Sequence, residues 1–234
     1  MASAEFDLPR PDGPLRTYVI CASPRSGSTL LTTLLHGTGR MGVPAEYFNP
    51  RFLQPALGRR FGAIGEGGIL RAADYLAALM DSRATANGVF GVKILFSQLQ
   101  LWLPVRPFRT MLAGTTFVWL RRRDTLGQAL SMALAQATQV WHRGVGDPLA
   151  DAAPAYDGGA LRRALGIVLA EDHGWHQFFT ANRIQPMTIA YEDLVADPDR
   201  ACRSLAEAIG IGDLPHVGME RAITRPTAGE AHEE

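Results

Sequence analysis

Tyr18-Val-Ile-Cys-Ala-Ser-Pro-Arg-Ser-Gly-Ser-Thr29-Leu-Leu runs through three kinds of local chemistry in succession. Tyr18 to Ala22 is a short apolar run of β-forming residues and reads as a buried strand. Ser23 to Gly27 is turn chemistry: Pro24 stops a ladder, and Gly27 permits backbone angles closed to other residues. From Ser28 onward, Leu30, Leu31, Leu34 and Leu35 recur at helical spacing until Gly37 and Gly39. A strand, a tight polar loop and a helix N-terminus aim backbone N–H groups and the positive end of a helix dipole at one place. Phosphate and sulfate suit such a place. Arg25 adds a forked cation, and Ser23, Ser26, Ser28 and Thr29 add hydroxyls.

Outward from this stretch, the 234 residues suffice for one α/β domain with a sizeable core. The formal net charge is +0, so nothing pulls the whole chain toward nucleic acid or anionic membrane, and any anion site must be local. Cys21 and Cys202 read as buried thiols of a reducing compartment. No apolar run approaches membrane-spanning length, and the N-terminus lacks a secretory h-region. The expectation is a cytoplasmic protein without a stable membrane anchor. Residues 1–16, with Pro9, Pro11 and Pro14 among polar residues, read as a flexible arm. Residues 17–223 read as one domain and 224–234 as a polar tail.

Further along, Met41 to Pro50 is a loop carrying one acid, Glu46, among aromatics, and 52–68 reads as irregular. A helix is expected over 69–82 and a strand over Val89–Leu95, with Lys93 inside it. A helical or turn segment, 98–103, ends at Pro104. A third strand, 116–120, runs into Arg121-Arg-Arg-Asp124 and then a helix to about Trp141. A Gly- and Pro-containing loop, a helix over 160–180 and a fourth strand over 186–191 follow. Asp197 and Pro198 open a last helix, which ends at Gly210. Strands alternating with helices imply an α/β fold: a P-loop-like parallel sheet flanked by helices on both faces, with ligands at the carboxyl ends of its strands. Polar clusters stand at three such ends: Ser23 to Thr29, Arg121 to Asp124, and Tyr191 to Asp193.

A P-loop kinase shares this architecture. The phosphate-binding lysine of Gly-x-x-x-x-Gly-Lys-Ser/Thr is absent, however, and the strand that should end in a magnesium-holding Asp ends in arginines. The pattern suits two separated anionic groups with no metal. Asp124 then caps the next helix or pairs with an arginine. A divergent small-molecule kinase and a non-catalytic nucleotide-binding accessory module stay open as alternatives.

Ser23-Pro-Arg-Ser-Gly-Ser-Thr29 resembles the 5′-phosphosulfate loop of sulfotransferases that use 3′-phosphoadenosine-5′-phosphosulfate (PAPS), and the run from Arg122 to Ser131 resembles their 3′-phosphate site. Gly-Val-Pro-Ala-Glu46-Tyr-Phe, Phe-Gly-Val-Lys93, Gln128-Ala-Leu-Ser131, Val140-Trp141 and Tyr191-Glu-Asp-Leu194 resemble the trehalose 2-sulfotransferase-like family, over roughly 18–210. The resemblance implies that Ser23, Arg25, Ser26, Gly27, Ser28 and Thr29 hold the 5′-phosphate. It implies that Arg122 and Ser131 hold the 3′-phosphate, with the choice among Arg121, Arg122 and Arg123 open. Glu46 would be the general base, with a raised pKa. Lys93 and Arg25 would offset charge developing on the transferred group. His36 competes as base, although its place before Gly37 suits a helix C-terminal cation. Trp141, His142 and Arg143 are candidates for walling the acceptor pocket, and Tyr191 to Asp193 read as structural. Val43 stands where the family carries a sugar-contacting glutamate, and Pro24 where it carries a polar residue. A less polar or bulkier alcohol than trehalose is therefore expected, such as a glycolipid or glycosylated small molecule. The product would be 3′,5′-ADP, and the resemblance also suggests a homodimer.

Overall fold

A computed structural model describes residues 1–141, 157–212 and 214–218. Four parallel strands form the sheet among them: β1 (Arg16–Ala22), β2 (Val89–Leu95), β3 (Thr116–Arg121) and β4 (Met187–Ala190), in the order β2-β1-β3-β4. Ala22 stands opposite both Leu95 and Leu120, and Arg121 stands opposite Ala190. The carboxyl ends therefore form one edge. The helices are α1 (Ser28–Gly37), α2 (Leu53–Arg60), α3 (Ala72–Arg83), α4 (Phe96–Trp102), α5 (Arg106–Leu112), α6 (Thr125–Thr138), α7 (Gly158–Asn182), α8 (Tyr191–Ala196) and α9 (Pro198–Ala208).

Successive side chains of a strand point to opposite faces, and both faces here are buried. Tyr18, Ile20, Ala22, Val118, Leu120 and Ile189 pack on Leu31, Leu34 and Leu35 of α1 and on Cys202, Leu205 and Ala206 of α9. Val19, Cys21, Val92, Ile94, Phe117 and Trp119 pack on the other side, against Tyr75 and Leu79 of α3, Leu99 and Trp102 of α4, Phe108 of α5, and Trp175 and Phe179 of α7. The expected parallel sheet with helices on both faces is the observed one. Both cysteines are buried, free thiols.

Several elements differ from their expected bounds. α2 falls inside the stretch read as irregular, because Pro55 and Gly58 mask its weak pattern. α5 has no counterpart in the sequence reading; Pro107 sits in its first turn, where a missing N–H costs nothing. α4 follows β2 directly. Its first amides, of Phe96 and Ser97, donate to the Glu171 carboxylate at 2.6 and 3.1 Å, so its cap comes from distant α7. The N-terminal residues are tied at specific points. Buried Arg83 pairs with Asp7, and the Leu8 amide donates to the Ser82 carbonyl at 2.8 Å.

Candidate functional site

The loop after β1 is held from both sides. Gln128, buried on α6, donates its amide to Ser23 Oγ at 2.8 Å and to the Pro24 carbonyl at 2.7 Å. The Trp175 indole N–H of α7 donates to the Ala22 carbonyl at 2.9 Å. Between these anchors the chain turns through left-handed angles at Arg25 (φ 63°) and Gly27 (φ 88°). Arg25 takes that conformation at a cost for an L residue. At Gly27 no alternative fits, since a Cβ there would lie 2.3 Å from the Tyr191 ring. The turn leads into α1 with Ser28 and Thr29 in its first turn, as the hydrophobic spacing implied. Ser26 Oγ is buried and has no hydrogen-bond partner among the described residues.

Glu46 and Lys93 meet because Ala45 forms a parallel bridge with Val92, and the Lys93 amide donates to the Ala45 carbonyl at 3.0 Å. Lys93 Nζ then lies 2.7 Å from Glu46 Oε1 and makes a long hydrogen bond, 3.5 Å, to Thr29 Oγ1. The other carboxylate oxygen accepts from Gln98 Nε2 at 3.0 Å and Asn49 Nδ2 at 3.1 Å. Burial alone would raise the Glu46 carboxyl. The charge and hydrogen bond of Lys93, with the two amides, outweigh it and hold the group at about 2. The expected raised pKa is thus corrected: the neighbours that matter are a cation and two amides, not the flanking aromatics.

The three arginines have different surroundings. Arg121 stacks on Trp119 and forms a forked pair with Asp172 at 2.8 and 3.2 Å. Arg123 forms a forked pair with Asp193. Arg122 lies over the Tyr191 ring, 4.8 Å from its centroid; its nearest carboxylate is Asp124 at 3.6 Å, and its buried Nε has no partner among the described residues. Asp124 also caps α6, accepting from the Gly127 amide. Ser131 Oγ accepts from Arg25 Nε at 3.0 Å, so the motif on α6 reaches the β1 loop, while the Trp141 carbonyl accepts from another Arg25 N–H. Tyr191, read from sequence as structural, joins both clusters: its ring abuts Gly27 and lies under Arg122.

His36 is in the last turn of α1, at the end away from the loop, with Phe6 edge-on at 5.9 Å. Val43 is buried. Its amide donates to Arg83 and its carbonyl accepts from the Tyr47 hydroxyl. His142, Arg143 and the 224–234 tail lie outside the described residues. Gln98, Asn49 and Glu171 were not singled out from sequence, and Gln128 was quoted there only as part of a motif, with no role given to it. Their only sequence signal is a polar residue inside or beside an apolar pattern. Two open grooves, of about 390 Å³ along β4 and α9 and about 480 Å³ beside Trp119 and Arg121, are lined by residues other than the loop's.

Two clusters rich in hydroxyls and arginine N–H groups thus occupy adjacent strand ends, joined by one tyrosine ring and one arginine–serine bond. Comparison with known proteins places the chain in a family. Residues 17–233 match the family model described as Stf0 sulphotransferase. The chain is 30% identical over 224 residues to trehalose 2-sulfotransferase of Mycolicibacterium smegmatis, covering 82% of this chain and 84% of that one. It is 30% identical over 227 residues to the Mycobacterium tuberculosis enzyme of the same name, covering 84% and 85%. A sulfotransferase domain from the curacin biosynthetic pathway shares the fold, with a TM-score of 0.52 at 18% identity over 87% of this chain and 77% of that one. A match this long, on a sheet of this topology, makes the chain a member of the Stf0 sulphotransferase family.

Proposed function

We propose that this sulfotransferase moves a sulfuryl group from PAPS to a hydroxyl of a carbohydrate, glycolipid or glycosylated small molecule. The observation that carries the reading is the shared cation. Lys93 touches Glu46 on one side and Thr29, in the first turn after the phosphate loop, on the other. A carboxylate for the acceptor's proton and a loop for the donor's phosphate therefore meet at one ammonium.

The residues present fit the donor. Ser26 Oγ and Arg122 Nε are buried polar atoms with unused hydrogen-bonding capacity among the described residues, one in each cluster. Ser23, Arg25, Ser26, Gly27, Ser28 and Thr29 would hold the 5′-phosphate, and Arg122 and Ser131 the 3′-phosphate. When bound, PAPS supplies an activated sulfuryl group on a phosphosulfate anhydride. Glu46 receives the acceptor's hydroxyl proton. Lys93 divides its charge between the carboxylate and any anion beside Thr29. Charge drawn to that anion is withdrawn from Glu46, whose affinity for a proton rises. Arg25 and Lys93 offset negative charge on the departing side. The two relatives, named for trehalose, support a carbohydrate hydroxyl. Val43 and Pro24 favour a less polar acceptor than trehalose itself.

Transfer of labelled sulfate from PAPS to a panel of trehalose, glycolipids and glycosides tests this reading. Wild type is expected to label at least one. Glu46→Gln is expected to bind 3′,5′-ADP like wild type while losing at least about 100-fold in transfer, the usual worth of a general base. Full activity in that variant would remove Glu46 from the chemistry.

A further inference from the structure

We infer that Glu192 is a positioning residue for the 3′-phosphate subsite, acting through the backbone from which Arg122 projects. The inference rests on the donor reading above. Glu192 Oε1 accepts from the amides of Arg123 at 3.1 Å and Asp124 at 3.2 Å, and Oε2 accepts from Arg123 N at 3.2 Å. These two amides immediately follow Arg122. The residue before Glu192 is Tyr191, whose ring lies under the Arg122 guanidinium and against Gly27. One turn of α8 thus grips Arg122 twice, by the ring beneath its head and by the carboxylate on the chain behind it.

The neighbouring charges sharpen the assignment. Arg121 and Arg123 are matched by Asp172 and Asp193. Among the described residues, Arg122 keeps an unpartnered Nε and a carboxylate only at 3.6 Å. Its direction is therefore set by packing and backbone and not by a tight ion pair. The 5′-phosphate loop touches Tyr191 too, but it has anchors of its own in Gln128 and Trp175, which Glu192 does not contact. Loss of the Glu192 carboxylate should then weaken recognition of the 3′-phosphate and leave the 5′-phosphate site intact.

Charge and position make opposite demands. If Glu192 acted as a nearby negative charge alone, removing it would tighten binding of a phosphate beside Arg122. If it acts by position, Gln is an adequate substitute, because a single oxygen, Oε1, already receives both amides.

Titration calorimetry of the full chain with 3′,5′-ADP and with 5′-AMP separates these outcomes. Glu192→Ala is expected to weaken 3′,5′-ADP by about tenfold, in line with losing hydrogen bonds to a charged acceptor, while 5′-AMP changes by less than about twofold. Glu192→Gln is expected to match wild type, and Glu192→Asp, with its carboxylate drawn back by one methylene, to fall between. The Asp variant carries the test if the Ala variant does not fold. Tighter binding in Ala and Gln alike, equal weakening of both ligands, or an unchanged ratio would overturn the inference alone. A wild type that binds 3′,5′-ADP and 5′-AMP alike would remove the donor reading, and this inference with it.

Discussion

At the scale of single residues, the site is built from pairings that composition does not reveal. Glu46 between Lys93, Gln98 and Asn49 is a strongly held anion. Its folded value of about 2 lies below the ordinary 4.5, so ionisation contributes stability above pH 4.5 that is lost as pH falls toward 2. Thermal melts of wild type and Glu46→Gln should therefore differ most near neutrality and converge as pH falls through that window; a constant gap would contradict the pairing. At Gly27, substitution by Ala meets both a left-handed φ and the Tyr191 ring. The backbone alone costs about 1–2 kcal/mol, and the clash adds to it, so urea unfolding should show at least that loss. Wild-type stability in that variant would mean that the loop and α8 do not touch. The loop's serines, Arg25 and Gly27 were legible in the sequence because turn residues and helix starts have local rules. The pairing that sets Arg121 and Arg123 apart from Arg122 was not legible, since it depends on Asp172 and Asp193, which are brought in from other elements.

At the scale of elements, each strand end is fastened by a helix remote in sequence. α6 and α7 hold the end of β1, and α8 holds the end of β3. The cap of α4 comes from Glu171 on α7 and positions the helix that carries Gln98. Glu171→Ala should unravel the first turn of α4, cost about 1–2 kcal/mol, and lower transfer through Gln98 and Glu46. Glu171→Gln, which keeps an acceptor, should recover part of both. Equal activity in wild type and Glu171→Ala would show that α4 needs no remote cap. The N-terminal residues are tied similarly: Arg83 is wholly buried and Asp7 is its carboxylate. Asp7→Ala leaves that guanidinium with long bonds to backbone carbonyls and no carboxylate among the described residues, and is expected to cost about 3 kcal/mol in urea unfolding, where a free arm would cost nothing. The pattern of β1 to β4 and the long helices was readable, because burial on both faces makes apolar runs and periodic stripes. α2 and α5 were not readable, because their residues carry weak propensity and tertiary packing decides them.

At the scale of the whole molecule, register does the work. Parallel pairing brings Ala22, Leu95, Leu120 and Ala190 to one edge, and with them the loop, Lys93, the arginines and Tyr191. The order of motifs along the chain foretold this edge, since ligands gather at the carboxyl ends of such sheets. What the order did not show is that the two clusters are joined, by Arg25 to Ser131 and by Tyr191 between Gly27 and Arg122. The central claim is that these joined clusters grip the two phosphates of one adenosine. Calorimetry with 3′,5′-ADP and ADP, each in EDTA and again in magnesium, tests it most directly. The expected result is binding of 3′,5′-ADP at least about tenfold tighter than ADP, unchanged by EDTA. Equal affinities, or a need for magnesium, would contradict it.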